Sequence, residues 1–214
     1  MTTVPENIVI VGGGEHAQVV AEAILSRPER WILEGFVDLD PSRRLRNLPN
    51  LPNLGWDRAL IAQSAAGECR SVMGIGATKS SDRRRRIVED FDASAVRWAS
   101  VVHAAAWLSP TAAVGQGAVV FAGAIVNAGA VLGAHCVVNT GSIIEHDVKV
   151  GDFAMVSPGV VVGGGTVLGD DCFIGLGAKI RDHVRVGRGA TVGMGAVVVK
   201  DVPPASTVMG VPAR

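Results

Sequence analysis

From Val102 onward, one aliphatic residue recurs every six positions: Val102, Leu108, Val114, Val120, Val126, Leu132, Val138, Ile144, Val150, Val156, Val162, Leu168, Ile174, Ile180, Val186, Val192 and Val198. Four residues after each comes a small or β-branched one, running from Ala106 through Cys136, Ser142, Thr166 and Cys172 to Val202. Glycine and polar residues fill the positions between. A large inward residue, a corner and a small inward residue describe a short strand with a tight turn, repeated as a hexapeptide β-helix. Three such sides close a triangular coil, so residues i and i+18 stack at the ~4.8 Å spacing of paired strands. The repeat predicts a little under six coils.

Before residue 97 the period changes. Asn7 to Val11 is a continuous apolar run ending in three glycines, and Glu15 to Ser26 carries apolar residues at helical spacing. Ile32 to Val37 reads as a second strand, Trp56 to Ala65 as a helix, Ser71 to Ile75 as a third strand and Ser80 to Phe91 as a basic helix. The order βαβαβα predicts a small Rossmann-like parallel sheet over 1–96, with the β-helix over 97–214.

No Asp, Glu, Lys or Arg occurs between Trp98 and Ile144, yet regular glycines and polar residues argue against a spanning helix. Twenty basic and twenty acidic residues cancel, which leaves no global field for nucleic acid or an anionic membrane. The residues before Asn7 lack a signal-peptide pattern, and three cysteines at unrelated spacing fit a reducing compartment. A cytoplasmic protein without membrane insertion is expected. Cys136 and Cys172 fall in the small inward register and read as core filler.

Gly12, Gly13, Gly14, Glu15, His16 and Ala17 match G-x-G-x-x-[GA], and Asp38 closes the second strand where a ribose would be met. The turn either brings backbone N–H groups to a phosphate or is simply tight. Only one half-fold fits in this length, so a mononucleotide or a nucleotide-linked group suits it better than NAD. The run Arg83 to Arg86 spans a helix turn and reads mostly as solvated surface, with one arginine available to a phosphate.

Five histidines occur, and the spacings among His135, His146 and His183 do not form a metal site. His146 stands at a corner between Glu145 and Asp147, which can orient an imidazole whose ordinary pKa suits general base work. Eighteen residues later comes Gly164, whose backbone N–H is placed one strand spacing away as an oxyanion donor. That pairing suits acyl transfer, although an exposed corner histidine can also be merely solvated.

The block Asn139-Thr140-Gly141-Ser142-Ile143-Ile144-Glu145-His146-Asp147, with Gly151-Asp152-Phe153, Ser157-Pro158-Gly159, Gly193-Met194-Gly195-Ala196 and Gly210-Val211-Pro212-Ala213-Arg214, resembles hexapeptide-repeat bacterial nucleotide-sugar acetyltransferases. These include bacillosamine and perosamine N-acetyltransferases and sialic acid O-acetyltransferases. The resemblance implies a left-handed β-helix, a homotrimer and acetyl-CoA as acyl donor without a metal. It implies His146 as base oriented by Asp147, and Gly164, Gly177, Ala178, Gly195, Ala196 and Lys200 along the donor. Gly12, Gly13, Gly14, His16 and Asp38, with Asn139 and Thr140, would meet a nucleotide-linked amino sugar. Met155 replaces a second histidine of many relatives, at a place linked to donor or substrate; it could instead pack against a neighbouring subunit. N-acetylation of an amino sugar is the leading expectation. O-acetylation, or a non-catalytic nucleotide-sugar-binding trimer, remain as alternatives.

Overall fold

The computed structural model describes residues 4–56, 67–76, 82–92 and 96–214. Residues up to 76 together with 82–104 form one compact unit, and 105–214 belong to a second.

In the first unit, β1 (Glu6–Val11), α1 (Glu15–Leu25), β2 (Trp31–Val37), β3 (Arg70–Met73) and α2 (Asp82–Asp92) follow in chain order. The sheet is parallel, in the order β2-β1-β3. β1 is central, and Ile8, Val9, Ile10 and Val11 are buried on both of its faces. This explains why the run is continuously apolar rather than alternating. Ala17, Val20, Ala21 and Ile24 give α1 its buried stripe. The expected helix over 56–65 lies, apart from Trp56, outside the described residues, as does the expected start of α2 at Ser80.

The second unit is the coil. Its two-residue strands pair in parallel with partners eighteen residues away, as in Ile125–Val126, Ile143–Ile144 and Val161–Val162 on one side. Each strand from Val101–Val102 to Val197–Val198 ends on the aliphatic register, and every member of that register from Val120 to Val198 is buried. The small register from Ala118 to Val202 is buried too. Inward hydroxyls donate to carbonyls: Ser142 Oγ to Ser157 O at 2.9 Å and Thr166 Oγ1 to Arg181 O at 3.0 Å. Burial removes the cost of neither group, so these bonds are what make polar residues tolerable in the axis. Burial, together with Asp170 and Asp171, pushes the Cys172 thiol up to about 12, which keeps it an inert packing residue.

Three corners repeat along the coil, and each places one residue at positive φ. The first carries Gly123, Gly141, Gly159, Gly177 and Gly195; the second carries Gly129, Asp147, Gly165 and His183; the third carries Gly117, His135, Phe153, Asp171 and Gly189. Where a side chain occupies such a corner, a glycine one coil earlier can make room for it. A Cβ on Gly117 would lie inside the His135 ring, and one on Gly129 would lie 2.6 Å from Asp147 Oδ1. Among the described residues no helix is long and apolar enough to cross a membrane.

Candidate functional site

His146 and Asp147 project from the second corner, following the strand Ile143–Ile144. Ile144 is buried in the axis, which fixes the chain entering the corner and leaves both following side chains exposed. Asp147 has φ 58° in a column whose neighbours, Gly129 and Gly165, are glycines. Aspartate tolerates this region better than most residues, and the conformation aims its carboxylate back along the corner. His146 Nδ1 donates to Asp147 Oδ2 at 2.9 Å. A carboxylate can only accept, so the proton sits on Nδ1 and the lone pair on Nε2. The hydrogen bond to Asp147 is the main cause that raises the His146 pKa above its ordinary value, with the charges of Asp147 and Glu145 adding to it.

Nε2 faces Gly164, one coil on. A Cβ there would lie 2.5 Å from Nε2, so only glycine lets the ring settle. At the third corner the matching N–H groups are occupied: Ala134 N–H donates to Asp152 Oδ1 at 2.7 Å and Asp152 N–H to Asp170 Oδ1 at 2.9 Å. At Gly164 no hydrogen bond among the described residues uses the N–H, although Asp182 stands one coil later. The expected donor therefore carries no internal partner, but it does not stand clear. Gly164 is buried with the imidazole over it, so an incoming carbonyl reaches the N–H past the ring.

The remaining expected residues divide. Lys200 is exposed and stands on the second corner, in the column His146, Gly164, Asp182, Lys200 at intervals of eighteen. Three coils separate it from His146, a rise of ~14 Å. Asn139, Thr140, Gly177 and Gly195 lie on the first corner instead. There Asn139 Oδ1 accepts the Thr140 N–H at 2.9 Å, and a Cβ on Gly177 or Gly195 would meet open space. Ala178 and Ala196 are fully buried in the axis, so they present no surface to a ligand, and the corner glycines beside them do. Met155 is also buried, paired in register between Val137 and Phe173.

In the first unit, a cavity of about 200 Å³ is lined by Gly12 to His16, Asp38, Leu39, Arg43, Trp56, Gly74 to Gly76 and Arg83. Gly12 has φ 102°, and a Cβ on it would lie 2.5 Å from Ile75 Cγ1, so the turn needs glycine twice over. Gly14 caps α1 without a side-chain bond, leaving first-turn N–H groups facing outward. Asp38 is less available than expected: Oδ2 accepts the Gly13 N–H at 2.8 Å and Oδ1 the Asp40 N–H at 2.9 Å. It braces the glycine turn. Burial, and secondarily Arg84, push the His16 pKa down to about 4, so the ring is neutral at pH 7. The arginine run is not all solvated: Arg84 is 1% exposed, while Arg83 lines the cavity. Arg43 is the cation that residue patterns missed. It lies within the Pro- and Asn-rich loop Pro41 to Pro52 that follows β2, which has no periodicity to mark it.

Residues 165–200 match the bacterial transferase hexapeptide (six repeats) family, and residues 7–91 match the PglD N-terminal domain family. A search of curated protein sequences gave no match. Among solved structures, a variant of perosamine N-acetyltransferase from Caulobacter crescentus, in complex with CoA and GDP-perosamine, superimposes with a TM-score of 0.87 at 31% identity. That match covers 97% of this chain and 95% of the other. The acetyltransferase domain of PglB from Neisseria gonorrhoeae, in complex with acetyl coenzyme A, gives 0.86 at 33% identity and covers 98% of each chain. WeeI from Acinetobacter baumannii, at 22% identity and 0.60, shares the fold. With both units matched along nearly their whole length by two such enzymes, the chain belongs to the hexapeptide-repeat bacterial nucleotide-sugar acetyltransferases.

Proposed function

We propose that this acyltransferase moves the acetyl group of acetyl-CoA to the amine of a nucleotide-linked amino sugar, with His146 as general base. The observation that carries this reading is the corner itself: an imidazole held by Asp147 with its Nε2 edge over Gly164, whose N–H makes no hydrogen bond among the described residues. The amine nitrogen attacks the thioester carbonyl carbon, and Nε2 takes the proton that the nitrogen sheds as the new C–N bond forms. The carbonyl oxygen gathers charge beside the Gly164 N–H, the C–S bond then breaks, and CoA leaves as a thiolate. No acyl-enzyme is required.

The cavity of the first unit suits the nucleotide. Arg43 and Arg83 supply cations beside the N-terminus of α1, where a diphosphate gains from the helix dipole. His16, neutral at pH 7, serves there as a hydrogen-bonding group rather than a charge. Perosamine N-acetyltransferase, with GDP-perosamine bound, supports an amine acceptor. For the donor, the second corner runs from Gly164 to Lys200, while the open glycine column lies on a different corner. We assign the homotrimer that the family resemblance implies, since its copies would bring one corner from each of two neighbours to a shared groove. Incubation with acetyl-CoA and matched nucleotide sugars bearing an amine or a hydroxyl tests the reading: the amine is acetylated. Acetylation of the hydroxyl partner alone would reject it.

A further inference from the structure

A second imidazole stands at the same corner. His183 lies one coil beyond Gly165, at φ 57°, exposed, with its N–H donating to Gly164 O at 2.9 Å. A Cβ on Gly165 would lie 2.5 Å from His183 Nδ1, so the ring reaches back over Gly165 as the His146 ring reaches forward over Gly164. The two imidazoles bracket one glycine pair from opposite sides. No hydrogen bond among the described residues engages the His183 ring nitrogens, and the side chain buries no core surface. The packing demand at this corner is met by glycine in the coils of Gly129 and Gly165, so folding alone does not call for histidine here.

We infer that His183 is a donor-binding residue, its ring hydrogen-bonding the first amide of the pantetheine arm of acetyl-CoA. The inference rests on the acetyl-CoA reading above and adds a residue to it. In the donor, two methylene groups separate the thioester sulfur from that amide, a distance of about one coil spacing, ~4.8 Å. With the carbonyl at Gly164, an arm extending toward Lys200 carries its amide toward the next coil, across the gap that the His183 ring spans as it reaches back to Gly165. A neutral imidazole offers one donor and one acceptor, matching the carbonyl and N–H of an amide. Asp182 beside it and Lys200 one coil on both carry charge, whereas the His183 ring suits a neutral partner.

Calorimetry on the full chain tests this with two probes, acetyl-CoA and adenosine 3′,5′-bisphosphate. The variants are His183→Gly, which keeps the backbone at ease at positive φ, and His183→Asn, which retains an amide near the Nδ1 position. We expect His183→Gly to weaken acetyl-CoA about fivefold, the order of one lost hydrogen bond, with His183→Asn recovering most of it. Binding of the bisphosphate, which lacks the arm, stays unchanged. An acetyl-CoA affinity unaltered in His183→Gly, or bisphosphate binding weakened as much as acetyl-CoA binding, would overturn the inference. Failure of the unsubstituted protein to bind acetyl-CoA would instead overturn the reading it rests on.

Discussion

At the corner the proposed chemistry rests on three neighbours, and each can be removed separately. Asp147→Asn keeps the size of the side chain and replaces the carboxylate whose hydrogen bond, and secondarily whose charge, holds the His146 pKa up. The proposed base works deprotonated, so the acid limb of the kcat/KM profile moves to lower pH in the variant. The plateau falls by about tenfold or more, because the ring loses the partner that fixes its tautomer. A profile with an unmoved limb would show that Asp147 does not govern the base. Gly164→Ala separates activity from folding. Its methyl would displace the far end of a flexible side chain, not backbone, so the melting temperature changes little while turnover falls. Unchanged turnover would mean that the contact between ring and glycine is incidental.

Four residues stand apart from where they were expected, for definite reasons. Ala178 and Ala196 belong to the small register that pattern alone turns inward, and only resemblance placed them on the donor; the pattern was the better guide. Arg84 and Met155 are buried by tertiary packing, which no local spacing reports.

Among the elements, the coil was legible because its constraint is local and repeated. Every sixth side chain enters one narrow axis, so only aliphatic residues and small partners fit there, whatever the surface does. Ile144 shows the energetic side. It is fully buried between Val126 and Val162 and anchors the strand from which His146 projects. Ile144→Ala should cost about 2–4 kcal/mol, through lost burial and a residual cavity. Chemical denaturation measures it, and a cost within error of zero would contradict the packing described. In the sheet unit the strand-turn-helix order was legible in the same way. The role of Asp38 was not, because a carboxylate at a strand end reads alike whether it meets a ribose or clamps the turn that Gly13 makes.

For the whole molecule, pH acts on stability through a group buried neutral. The His16 pKa is held at about 4, below its ordinary value of 6.5, so between these values the unfolded chain binds a proton that the folded one does not. This contribution is complete above pH 6.5 and is lost as the pH falls toward 4. His16→Gln should flatten the decline of melting temperature between pH 7 and pH 4.5, and an equally steep decline would place the acid sensitivity elsewhere. If the adjoining cavity takes the nucleotide as proposed, a nucleoside diphosphate that fits it stabilises only the folded unit and raises the melting temperature.

Steady-state turnover of His146→Asn, with acetyl-CoA affinity measured alongside by calorimetry, bears most directly on the proposed chemistry. Loss of the base should lower kcat by about 100-fold or more while acetyl-CoA still binds. Turnover within a few-fold of the unsubstituted protein would mean that the amine loses its proton elsewhere, and that this corner is not where acetyl transfer occurs.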